Sequence, residues 1–107
     1  MNENELAGLL ESLKRMGSDD LSVEVKESAT TLSRDVWETV SAFANTAGGI
    51  IVLGVSERAG FVPVANFETE KVLNQFVAGM GDAGGRGKLA NPPKYTIERV
   101  ELQGTVV

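Results

Sequence analysis

The sequence predicts an α/β (α+β) sandwich, a mixed β-sheet of about five strands with helices packed on it, in the order α-β-α-β-β-α-β-β with the last strand truncated. Three observations predict it. Apolar residues recur at helical spacing in three separate stretches. Residues 50–55, Ile-Ile-Val-Leu-Gly-Val, form an apolar, β-branched run that requires cover on both faces of a sheet. Between the second helix and that run stands only a short Gly48-Gly49 break, with no room for a linker.

The elements follow in order. Asn2 to Met16 reads as a helix, with Leu6, Leu9, Leu10 and Leu13 on one face and acids in the first turn, where the helix dipole favours them. Gly17-Ser18-Asp19-Asp20 is a break, and Leu21 to Lys26 alternates as a half-buried strand with Ser22, Glu24 and Lys26 on one face. Thr30 to Ser33 opens a second helix, with Ser33 as N-cap and Val36, Trp37, Val40, Phe43 and Ala44 on its apolar face. Trp37 belongs to the core. Asn45 and Thr46 bond the fraying end, and Gly48 or Gly49 supplies positive φ. Residues 50–55 then make a central strand flanked on both sides.

Glu57-Arg58-Ala59-Gly60 is a tight connection into Phe61-Val62-Pro63-Val64, whose proline restricts it to an edge or a short strand. A third helix is marked by Val72, Leu73, Phe76, Val77 and Met80, with Asn66 as its cap. Gly81 to Pro93, rich in glycine and proline, is a mobile loop. Tyr95 to Leu102 reads as a strand with a phase shift between Ile97 and Val100 that suggests a bulge. Gln103-Gly104 turns the chain into a last strand from Thr105. The chain stops within that apolar run, where a native domain seldom ends. The sequence is therefore expected to be the N-terminal part of a longer protein: one domain over 1–107, a helical extension at 1–17 and a core at 18–107.

Composition excludes several function classes. The chain has 107 residues, no cysteine and no histidine, so disulfides, thiol chemistry, Ser-His catalysis and typical zinc sites are ruled out. Any metal would be held by carboxylates, hence Mg²⁺ or Mn²⁺. No segment reads as a membrane span or signal peptide, and a cytoplasmic location is expected. The net charge of −5 opposes simple phosphate binding. The distribution is uneven, however: residues 84–99 carry Arg86, Lys88, Lys94 and Arg99 against Glu98 alone. These bases are read either as a local basic patch or as a solvated surface. Gly84-Gly-Arg-Gly-Lys does not precede a helix and is not a phosphate loop, though it could act as a basic arm.

Ala42-Phe-Ala-Asn-Thr-Ala-Gly-Gly, followed by an apolar strand ending Gly54-Val55-Ser56-Glu57, resembles the AlbA-type DNA-binding domain of the Schlafen superfamily. Glu24-Val25-Lys26 is similar to that family's Glu-aromatic-Lys element, with valine in the aromatic's place. Asn91-Pro92-Pro93 before Lys94-Tyr95-Thr96-Ile97 resembles its Pro-Pro segment leading into two strands. The resemblance covers roughly residues 19 to 107. It implies the N-terminal, nucleic-acid-binding module of a bacterial transcriptional regulator, with DNA favoured over RNA and no cofactor; the bases Arg86, Lys88 and Lys94 of the basic stretch, with Lys26, are the candidate nucleic-acid contacts.

The Schlafen branch includes RNA-cleaving enzymes, and the resemblance matches their carboxylate cluster to Asp19, Glu24 and Glu57. Such a cluster could hold Mg²⁺ or Mn²⁺. Asp19 replaces a Glu there, and Ser56 stands where an Asp is common. A same-face ion pair of Glu24 with Lys26 is the competing explanation for those two residues. Asn45, Thr46, Gly48 and Gly49 serve either as a helix C-cap or as a ligand contact. A third reading is an oligomerisation module, a homo-oligomer whose exposed strands pair with another subunit.

Overall fold

The structure is a computed structural model that describes residues 1–16, 22–81 and 94–107. Its first helix, α1 (Glu3–Met16), begins with a reciprocal cap. The Asn2 side chain accepts from the Glu5 N–H at 2.8 Å, and the Glu5 carboxylate accepts from the Asn2 N–H at 3.2 Å. Glu3 and Glu5 occupy the first turn and Lys14 and Arg15 the last, matching the helix dipole at both ends. Leu6, Leu10 and Leu13 are buried on its inner face.

Strand β1 (Val23–Lys26) pairs in parallel with β2 (Ile50–Leu53), Val23 opposite Ile50 and Lys26 opposite Leu53. Helix α2 (Val36–Ala44) is the crossover between them. The period of two divides this pair into unlike faces. Val23, Val25 and Val52 join the leucines of α1, with Val55, Phe61, Val100 and Leu102, in one buried cluster. Glu24, Lys26, Ile51 and Leu53 occupy the opposite face, towards α2. The other elements are β3 (Val55–Ser56) antiparallel to β4 (Val62–Pro63), helix α3 (Thr69–Gly79), and the hairpin of β5 (Glu101–Leu102) with β6 (Thr105–Val106). Val100 and Val107 extend that hairpin by exchanging backbone bonds at 3.1 and 2.9 Å.

The expected class, mixed α and β, is what the structure shows. The strands, however, form three two-stranded pairs among the described residues instead of one sheet of about five. The run expected at 50–55 is broken by Gly54, whose φ of 93° turns the chain out of the extended region, so β2 and β3 pair with different partners. Among the described residues β2 has β1 as its one strand neighbour, where a central strand was expected, so its other side is an edge with respect to those residues. The reason is local: of the strand expected at Tyr95–Leu102, only Glu101 and Leu102 lie in a ladder, and no bulged pairing carries 95–99 onto β2.

The helix starts also differ. α2 begins at Val36 after Asp35, because the Ser33 hydroxyl is engaged with Ser28 Oγ at 2.8 Å. α3 is preceded by Glu68, because Asn66 sits at φ 57°, outside the cap geometry. The expected C-cap of α2 is present. Asn45 closes the helix, Thr46 Oγ1 donates to the Phe43 carbonyl at 3.2 Å, and Gly48, at φ 92°, donates to the same carbonyl at 3.1 Å. Trp37 stacks on Phe76 with ring centroids 5.5 Å apart and holds the two helices together. The loop expected at 81–93 lies, beyond Gly81, outside the described residues.

Two substitutions test this architecture. Leu13→Ala removes a side chain that is 1% exposed, and should cost about 2–5 kcal/mol in denaturant unfolding. Gly48→Val forces a β-branched residue to positive φ and should cost more than about 1 kcal/mol with an unchanged denaturant slope. An unshifted midpoint for either variant would contradict the packing or the cap described here.

Candidate functional site

Polar side chains gather where β1 leaves the sheet and α2 begins. Lys26 closes β1, and its ammonium reaches Glu24 Oε1 at 3.1 Å and Asp35 Oδ2 at 2.8 Å. Its side chain is only 15% exposed, against 59% for Asp35. Glu24 and Lys26 meet because strand residues two apart share a face, the ion pair weighed from the sequence. Asp35 joins them because it stands at the start of α2, where it makes no side-chain cap bond.

The connection that brings Asp35 there is pinned at several points. Ser28, at φ 41°, accepts from the Ser33 N–H at 3.1 Å. Leu32 N–H donates to Gln75 Oε1 at 2.7 Å, and the Ala29 carbonyl accepts from Glu68 N–H at 3.0 Å. Both of these tie the loop to α3 or to the residue just before it. Burial disfavours the Lys26 charge, but the hydrogen bonds to Asp35 and Glu24 outweigh it and hold the ammonium above the ordinary lysine value.

A second small network lies one residue beyond. Ser56 Oγ, buried at the end of β3, donates to Glu27 Oε2 at 3.2 Å and accepts from the Ala59 N–H at 3.2 Å. Arg58 Nε donates to the same Glu27 oxygen at 3.3 Å. Asp35 and Glu27 were not singled out as site residues in the sequence. The signal for Asp35 was its place before the first apolar residue of α2. Glu27 carried none beyond following Lys26.

Of the carboxylates matched to a metal cluster, Asp19 lies outside the described residues, Glu24 is bound to Lys26, and Glu57 is exposed in the turn after β3. Among the described residues no three acids stand together as metal ligands. Asn45, Thr46 and Gly48 act in the C-cap of α2, and a Cβ on Gly49 would strike the Phe43 ring at 2.6 Å. Close packing thus accounts for this glycine.

Half of the described lysines and arginines are already paired: Arg58 with Glu27, Lys71 with Glu68 and Arg99 with Glu70, besides Lys26. Lys14, Arg34 and Lys94 are exposed and carry no ion pair or hydrogen bond among the described residues. Arg34 adjoins Asp35, and Lys94 precedes Tyr95, whose ring packs edge-on against Phe76 at 5.4 Å. Arg86 and Lys88 lie outside the described residues. No helix among the described residues is long and apolar enough to cross a membrane.

The sequence model of one family, described as Schlafen, AlbA_2, matches residues 19–107. No curated protein and no solved structure matches.

The Lys26 cluster makes a prediction about pH. A lysine whose pKa is raised by folding contributes stability that is complete below its unfolded value of 10.5 and lost as pH rises through the folded value. Wild-type stability should therefore fall above about pH 10.5. Lys26→Met should be less stable at neutral pH and should show a shallower alkaline loss. Parallel alkaline profiles for the two proteins would remove Lys26 from this role.

Proposed function

The chain belongs to the Schlafen, AlbA_2 family, and from that premise we propose that it is a nucleic-acid-binding module that engages DNA within a transcriptional regulator. The family match over 19–107 is the observation that carries this reading. The charge arrangement supports it in a limited way. Phosphate binding needs cations that are not already neutralised, and Arg34 and Lys94 are two such groups. In this reading they contact the backbone, joined by Arg86 and Lys88. Lys26 serves differently: two carboxylates surround it, so it fixes the start of α2, from which Arg34 projects.

An acidic protein with few free cations binds nucleic acid weakly and with strong salt dependence. Fluorescence anisotropy with duplex DNA at low salt tests the proposal. Micromolar or weaker binding is expected, with the same loss across unrelated sequences for Lys94→Ala and Arg34→Ala. Each substitution should lower the salt slope by roughly one unit. Absence of binding at low salt, or an unchanged slope in both variants, would overturn it.

A further inference from the structure

We propose that the open edge of β2 is a docking groove for an extended peptide segment of a partner protein, bound as an added strand with an acidic side chain beside Lys94. The backbone pattern identifies the edge. Ile50 N–H donates to the Ser22 carbonyl at 2.8 Å and Gly54 N–H to the Lys26 carbonyl at 2.9 Å, so even-numbered residues of β2 face β1. By the period of two, the N–H and C=O groups of Ile51 and Leu53 face away from it. All four residues of β2 line a groove of about 910 Å³, walled by Phe43, Phe67, Phe76 and Tyr95. Ile50 is 40% exposed at its rim and Ile97 is 36% exposed on the far wall. Backbone donors and acceptors between apolar walls suit a β-strand, which supplies matching backbone groups and alternating side chains.

Charge selects the occupant. Of the charged groups on the groove, Arg99 is paired with Glu70 and Glu98 with the Met1 amino group. Lys94 is left without a partner among the described residues, so the fitting segment carries a carboxylate there. A second copy of the chain fits less well, since each copy brings a net charge of −5. The surface is separate from the Lys26 cluster but shares Lys94 with the proposed DNA contact, so peptide and DNA would compete for that one ammonium.

Trp37, the single tryptophan, stacks on the groove wall at Phe76 and provides a fluorescence signal. The probe is a blocked peptide alternating valine and threonine with an aspartate at each end, added to the protein as it stands. A saturable change in Trp37 emission is expected, together with slowed amide exchange at Ile51 and Leu53. N-methylation of alternate peptide nitrogens should weaken binding at least tenfold, and replacing both aspartates with asparagine should weaken it several-fold. The proposal fails if Ile51 and Leu53 exchange is unchanged at saturating peptide, or if the N-methylated and parent peptides bind alike. It also fails if the asparagine peptide binds as tightly as the parent. A dimer in sedimentation with those two amides protected before peptide is added would assign the groove to a second copy. Protection of the same amides by a DNA oligonucleotide would assign it to nucleic acid.

Discussion

The parallel pairing of β1 with β2 is the constraint on which the other elements depend. It joins two four-residue strands across a helical crossover, and its two faces have different chemistry. One face is valine and meets three leucines of α1. The other carries Glu24 and Lys26 beside Ile51 and Leu53, and this mixture sets where α2 can dock. Each buried leucine or valine contributes about 1.5–3 kcal/mol by leaving water, so the valine face anchors the fold. Helix α1 precedes the residues matched by the family yet supplies part of that core.

The mixed face is governed by Lys26. Burying an ammonium is costly unless carboxylates meet it, and two do, at 3.1 and 2.8 Å. Because one partner sits on the strand and the other at the head of α2, the charge pair positions the helix as well as neutralising the lysine. The same economy runs through the described surface, where Arg58, Lys71 and Arg99 are also matched by nearby acids. An acidic chain can then present only a few free bases, and their placement, not their number, carries any affinity for phosphate.

Gly54 imposes the second constraint. Its φ of 93° ends β2 after four residues and sends the chain into the short β3–β4 pair, and an added Cβ would lie 2.5 Å from the Phe67 ring. Short strands leave edges, and an edge between apolar walls is one that proteins cover, charge or use. The hairpin at the C-terminal side packs its Val100 and Leu102 into the valine core. Residues 94–99 stand clear of β2, and the open groove results from that division.

The sequence by itself determined the class, the three helices, the first strand, the glycine break with its positive φ at Gly48, the two-residue turn at Gln103-Gly104 and the family. Each is written in local periodicity, in glycine's freedom from a Cβ, or in a contiguous motif. It also made legible the Glu24–Lys26 pair, because residues two apart on a strand must share a face. Tertiary structure decided the rest. Whether Ile50 to Val55 is central or an edge depends on which distant segment supplies hydrogen bonds, and an apolar run reads the same in both cases. That Asp35 completes the Lys26 cluster, that Ser33 turns back to Ser28, and that Glu27 holds Ser56 and Arg58 depend on how a pinned loop folds over a strand end. Side chains brought together from separate elements leave no period in the sequence, and only packing reveals which charges are spent on one another and which remain free.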